Sequence, residues 1–209
     1  MNTIVTHYCP RHHLHEEMFA LSSGYNKSVA DKLGWKFFAD SKRRVPQKDL
    51  FRERSAILAE AASSMQDGDK MLWIDGDALI VGKNTSAIFN ELGSADVGAT
   101  KLYDCWHTGV LAISINTNTR ELLTQMRDHI HATDEACHEN WTAHECNNCK
   151  IPVGQRGPLC GSSKIKLIEL AHKWNDEAIH DDTEIVGYHG TFAVEKLKNI
   201  KEFVEKNKA

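Results

Sequence analysis

Two aspartates separated by one glycine, Asp75-Gly76-Asp77, close the apolar run Met71-Leu72-Trp73-Ile74. Carboxylates two residues apart at the end of a buried strand lose hydration and repel each other unless a positive charge lies beside them. A divalent cation meets that need. Hard ions such as Mg²⁺ and Mn²⁺ prefer oxygen ligands and commonly join one or two carboxylates to the phosphates of a substrate. Gly76 lets backbone approach such a substrate closely. Asp-Gly is also ordinary turn chemistry. The context favours the chemical reading, because the carboxylates interrupt an apolar run that resumes over Ala78 to Val81.

The elements around this tripeptide must deliver it to a cleft. Thr3 to Tyr8 reads as a short strand broken at Cys9-Pro10, and loops at strand C-termini build sites in α/β folds. Helical spacing over Asn26 to Leu33 stops at Gly34, and Trp35 to Phe38 is a second strand. Asp49 to Met65 places Leu50, Arg54, Ile57, Leu58 and Ala61 on one helical face, and a turn at Asp67-Gly68-Asp69 leads into the strand that ends at Asp75. Its uniform apolarity fits a central parallel strand covered on both faces. Further along, Asn84 to Leu92 is expected as a helix capped by Asn84, Val97 to Lys101 as a strand, and Val110 to Ile115 as a strand following Thr108-Gly109. Leu122 to Ile130 reads as helix, Thr133 to about Gly161 as irregular structure, and order returns over Lys164 to Ala171. Glu184 to Gly190 reads as a late strand entering a turn, and Phe192 to Lys206 as a helix. The alternation predicts a single α/β domain over 1–209, with a mostly parallel, Rossmann-like central sheet flanked by helices.

With these segments in this order, the sequence resembles the GT-A-type glycosyltransferases, closest in pattern to galactosyl- and mannosyltransferase-like families. The resemblance implies metal-dependent transfer of a hexose from a UDP- or GDP-linked donor to a glycan, lipid or protein acceptor. It places Asp75, Gly76 and Asp77 at the donor diphosphate with Mn²⁺ or Mg²⁺, and Thr6, His7 and Tyr8 at the nucleotide. Arg54, or its neighbour Arg52, matches a basic residue that contacts the donor. His107-Thr108-Gly109 is similar to an Asn-Thr/Ala-Gly stretch that lines the sugar pocket, with His107 where Asn is usual. Trp174-Asn175 resembles a Trp-Asn pair at the substrate pocket, with Trp174 as a wall for the acceptor. His189-Gly190 resembles the His-Gly whose imidazole completes the metal site, giving the ligand set Asp75, Asp77 and His189 and placing Gly190 at the pocket. Asp104, Asp134 and Glu135 are the candidates for the polar catalytic group, and retention or inversion at the sugar stays open.

Bulk properties narrow the alternatives. The chain has 209 residues and a formal charge of -4, so it lacks the overall basic field that would hold nucleic acid. No stretch approaches the ~18 apolar residues of a membrane span, and the N-terminal segment lacks a signal peptide's apolar core, so a cytoplasmic protein is expected. Cys137, Cys146, Cys149 and Cys160, with His138 and His144, supply enough ligands for a structural Zn²⁺, or stand as free thiols. Metal-dependent phosphoryl or nucleotidyl transfer also uses paired aspartates. Against the dehalogenase-like form of that chemistry, the motif lies far from the first strand and is followed by Ala78. A nucleotide-sugar-binding relative without catalysis is a third class, and retention of Asp75, Asp77 and His189 argues against it.

Overall fold

Strand β1 (Asn2–His7) pairs in parallel with both β2 (Lys36–Asp40) and β3 (Lys70–Asp75). Its register sets Thr6 opposite Ile74 and His7 opposite Asp75, so the first strand delivers its end to the carboxylates. On its other side β3 pairs antiparallel with β6 (Cys105–Ser114), which pairs antiparallel with β5 (Val97–Leu102), itself parallel to β7 (Leu167–Glu169). The sheet order is β2-β1-β3-β6-β5-β7, and β6 alone runs against its neighbours. This computed structural model describes residues 1–8, 13–41, 50–102, 105–132, 164–188 and 191–207.

Both faces of the sheet are covered, which is why β3 is apolar from Met71 to Ile74 and β6 from Val110 to Ile113. Helices α2 (Leu50–Ser63) and α4 (Thr117–Ala132) lay Ile57, Leu58, Leu122 and Met126 over Val5, Trp73, Leu111 and Ile113. Helix α1 (His13–Leu33), helix α3 (Ala87–Leu92) and the turn at 172–174 cover the opposite face, with Ala30, Ile88, Leu92 and Trp174 against Ile4, Leu72, Ile74 and Val110. Full burial of each such aliphatic side chain is worth roughly 1.5–3 kcal/mol. A small second sheet pairs β4 (Leu79–Ile80) with β8 (Ile185–Val186). Helix α5 (Ala193–Lys206) packs Leu197, Ile200 and Val204 with Met18 of α1 and with Leu79 and Val186. The C-terminal helix is thereby carried to the strand that follows Asp77.

Several expectations change. The first helix starts at His13 and not near Asn26, because its buried stripe of Met18, Ser22, Asn26 and Ala30 is half polar and leaves no apolar periodicity to read. Asn84 does not cap α3: the helix is preceded by Ser86, and Asn84 accepts only the Ala87 N–H through its backbone carbonyl. Trp106 to Gly109 belong to β6 and are not a lead-in to it. Pairing with β5 jumps from Ala99↔Leu111 to Thr100↔His107, so Thr108-Gly109-Val110 bulge out of register. Bulges of this kind re-aim side chains beside sites. The run from Thr133 to Gly161 falls wholly outside the described residues.

Candidate active site

Asp75 is the last residue of β3, and Arg54 reaches it from the first turns of α2. One guanidinium nitrogen, Nη2, donates to Asp75 Oδ1 at 3.0 Å, while Nη1 donates to Thr108 Oγ1 at 2.6 Å and to the Thr108 carbonyl at 3.3 Å. The guanidinium carbon lies 5.5 Å from the centre of the Trp73 ring. A planar fork of donors suits this double task, and a lysine would lack it. Burial raises the Asp75 carboxyl from its ordinary value to about 6; Arg54 opposes the shift, Asp77 adds to it, and Lys196 and the Trp73 indole N–H oppose it.

The turn after Asp75 is pinned from behind by the polar stripe of α1. Ser22 Oγ donates to the Gly76 carbonyl at 2.5 Å, Asn26 Nδ2 donates to the Ala78 carbonyl at 2.9 Å, and Ile80 N–H donates to Asn26 Oδ1 at 3.0 Å. Satisfying buried backbone groups this way fixes where both carboxylates point. Gly76 is required by proximity: a Cβ there would stand 2.8 Å from both the His7 carbonyl oxygen and the Tyr8 Cβ. His7, Tyr8, Arg54, Trp73, Asp75, Gly76 and Asp77 together line an open cleft.

Asp77 has a different partner. Lys196 of α5 places Nζ 2.7 Å from Asp77 Oδ2, with its side chain only 12% exposed. The sequence reading missed this residue. The available signal was its place in α5, three residues after Ala193 and four before Ile200, on the edge of the buried stripe where a lysine can lay its stem along apolar surface.

A third group gathers on the bulge of β6. His107 Nδ1 accepts the Gly109 N–H at 3.4 Å and lies against Asn175 Nδ2 in a short contact. Both neighbours are donors, so Nδ1 carries no proton and the neutral ring holds its hydrogen on Nε2. Burial, then the charges of Arg54, His172 and Lys196, push the His107 pKa down to about 4, which keeps the ring neutral near pH 7. Gly109 is where these residues meet: a Cβ there would be 3.2 Å from Asp75 Oδ2, 3.2 Å from His107 Cε1 and 3.3 Å from Asn175 Nδ2.

The structure thus brings His7, Tyr8, Arg54, Asp75, Gly76 and Asp77 to one cleft and joins His107, Gly109 and Asn175 beside Asp75, with Thr108 bound to Arg54. Two residues stand elsewhere. Trp174 is fully buried in the core with its indole N–H donating to Glu91 at 2.7 Å, so it has no open face for an acceptor sugar; it anchors Asn175 instead. Thr6 is buried within the sheet and does not line the cleft. Asp104, Asp134, Glu135, His189 and Gly190, and the cysteines Cys137, Cys146, Cys149 and Cys160, lie outside the described residues. Among the described residues no group of three or more His, Cys, Asp or Glu is disposed to hold a metal, and no helix is long and apolar enough to cross a membrane.

No protein-family model and no curated protein matches the sequence. Solved structures do match the fold. A glycosyltransferase involved in the glycosylation of the major capsid of PBCV-1 superposes with a TM-score of 0.66 at 16% identity, over 96% of this chain and 98% of that one. The galactosyltransferase LgtC, solved with donor and acceptor sugar analogues, gives 0.55 at 10% identity over 99% and 96%. The glycosyltransferase GlyE of Streptococcus pneumoniae TIGR4 gives 0.56 at 15% identity over 97% of this chain, which spans only 59% of GlyE. The chain has the GT-A-type α/β fold of these proteins, a central six-stranded sheet flanked by helices.

Proposed function

We propose that the chain is a glycosyltransferase that binds a UDP- or GDP-linked sugar in the cleft at the end of β3 and transfers the sugar to a glycan, lipid or protein hydroxyl. The observation that carries this reading is the pair Asp75 and Asp77, held at a strand end in a cleft with His7 and Tyr8, in a fold shared with glycosyltransferases. Two hard carboxylates with pinned backbone, each needing a cation nearby, form a donor set that fits Mn²⁺ or Mg²⁺. His189 is the proposed third ligand. Such an ion, when bound, stabilises the negative charge on a departing nucleoside diphosphate.

The protein's own groups have separable tasks in this reading. Arg54 holds Asp75 against Thr108, so the carboxylate meets the donor without having to reorganise. Tyr8, stacked on Phe19 with ring centres 5.7 Å apart, forms a firm aromatic wall for the nucleotide. Gly109 lets Asp75, His107 and Asn175 close in on one another, and this group, with His107 as a neutral ring, is the proposed wall on the sugar side of Asp75. Asp104, Asp134 and Glu135 are the proposed carboxylates on the acceptor side.

Calorimetric titration with nucleoside diphosphates and nucleotide sugars, with and without Mn²⁺, tests the reading. Wild-type protein is expected to bind one nucleotide class in a Mn²⁺-dependent way, and Asp77→Ala to lose that binding. Absence of binding to every nucleotide, or undiminished Mn²⁺-dependent binding by Asp77→Ala, rules it out.

A further inference from the structure

We propose that Lys196 is the resident counter-ion of Asp77, and that it must leave this carboxylate before a divalent cation can take it, so that cation and diphosphate bind as a coupled pair. The inference rests on the reading of the cleft as a metal-assisted nucleotide-sugar site.

Three observations lead to it. Lys196 Nζ stands 2.7 Å from Asp77 Oδ2, on a side chain that is largely buried, so the ammonium already occupies the face of the carboxylate that a cation needs. Two like charges cannot share one carboxylate without strong repulsion at such separations. Second, the two protein cations are not equally replaceable. Arg54 is fixed by Thr108 and lies by the Trp73 ring as well as binding Asp75, whereas Lys196 Nζ, at the end of a flexible four-carbon stem, donates among the described residues to Asp77 alone. Its helix stays in place, because Leu197, Ile200 and Val204 are buried against α1 and the small sheet. Displacement is therefore a side-chain event.

Third, the formal charges of Arg54, Lys196, Asp75 and Asp77 cancel. A divalent cation entering alone leaves this group with excess positive charge and a displaced ammonium without an anion. A diphosphate arriving with the cation supplies the missing negative charge and gives the ammonium a new partner within reach of its stem. Each ligand thus raises the affinity for the other, and linkage requires the two effects to be equal.

The test compares wild type, Lys196→Met and Lys198→Met. The last removes an equal charge from the same helix at an exposed side chain that pairs with Glu202. Mn²⁺ binding to nucleotide-free protein is followed by the electron paramagnetic resonance signal of the free ion, and UDP and GDP binding by calorimetry with and without Mn²⁺. The proposal expects Lys196→Met to bind Mn²⁺ alone at least about tenfold more tightly than wild type, Lys198→Met to stay within about twofold, and the Mn²⁺-induced gain in nucleotide affinity to shrink by a similar factor in Lys196→Met. Equal Mn²⁺ affinity for wild type and Lys196→Met overturns it. So does the same gain from Lys198→Met. In wild type alone, an affinity for Mn²⁺ that does not rise when nucleotide is present overturns it without any variant. If no protein binds Mn²⁺ with or without nucleotide, the metal-assisted reading of the cleft falls, and the proposal with it.

Discussion

Asp75 and Asp77 are two residues apart and are held in opposite ways. Asp75 belongs to the sheet: it ends β3, and its cation comes from α2, which packs on the same sheet face and is tied to the neighbouring strand through Thr108. Asp77 lies past the turn, and its cation comes from the C-terminal helix through one flexible contact spanning 119 residues of sequence. The first arrangement is preorganised and the second is adjustable. On the proposed reading, a site that holds a diphosphate and then releases it draws on both arrangements.

The largest effects should come from the carboxylates. If the cleft holds a divalent cation as proposed, Asp75→Ala and Asp77→Ala are both expected to lower sugar-transfer kcat/KM by at least about 100-fold, since a cation held by fewer ligands stabilises the leaving charge less. Their stabilities should differ. Arg54 and Lys196 are about equally shielded, at 14% and 12% exposed, so either deletion should destabilise the fold by about 1–3 kcal/mol, with Asp77→Ala nearer the low end because the flexible stem of Lys196 lets its ammonium turn out to solvent while Thr108 holds Arg54 in place. Urea denaturation of the two variants reads this difference, and equal losses would break the distinction between the two halves.

Arg54→Lys sharpens the same contrast. A lysine can reach Asp75 or Thr108 but cannot hold both with one planar fork, so nucleotide affinity should fall about tenfold in calorimetry with only a small change in stability. A variant that binds like wild type would mean that the fork has no part in placing Asp75. Gly109→Ala should have a comparable effect on the sugar alone. Its Cβ would crowd Asp75, His107 and Asn175 at 3.2 to 3.3 Å, so affinity for a nucleotide sugar should drop several-fold more than affinity for the free nucleotide. Equal losses for the two ligands would place Gly109 away from the sugar.

The contrast also explains what could be read from the sequence. β1, β2, β3, α2 and the carboxylates announce themselves through local patterns: an apolar run, a helical face, a turn, and two charges where apolar residues would continue the strand. Arg54 was legible because its helix immediately precedes the strand that it serves. Lys196 was not, because its partner lies 119 residues earlier in the chain, and its place on the edge of the α5 stripe marks a shielded lysine without saying which charge it meets. Trp174 was misread for a related reason. An aromatic beside a polar residue looks the same as a pocket wall or as a core anchor until Glu91, 83 residues away, takes its N–H and the core closes over the ring. The start of α1 escaped notice because Ser22 and Asn26 are buried to hold backbone carbonyls, a use of polar residues that periodicity of apolar ones does not register.

The smallest expected effect is in the pH dependence of stability, where two site residues oppose each other. Asp75 in the folded chain titrates near 6, above the ordinary carboxylate value, so the native state binds the proton first and this group adds stability as pH falls from about 6 to 4. His107 titrates near 4, below its ordinary value of 6.5, so the unfolded chain takes the proton first and stability is lost as pH falls from 6.5 toward 4. Over the shared window the two nearly offset, each changing stability by on the order of 1 kcal/mol per pH unit. Denaturation at pH 6.5, 5.5 and 4.5 should therefore show little net contribution from the pair in wild type, a steeper acid loss in Asp75→Asn, and a gain toward acid in His107→Asn relative to wild type. Identical profiles for all three proteins would show that neither side chain is buried as described. Nucleotide binding with Mn²⁺ lacks this compensation, because it requires the ionised Asp75, and should weaken by about tenfold for each pH unit below 6.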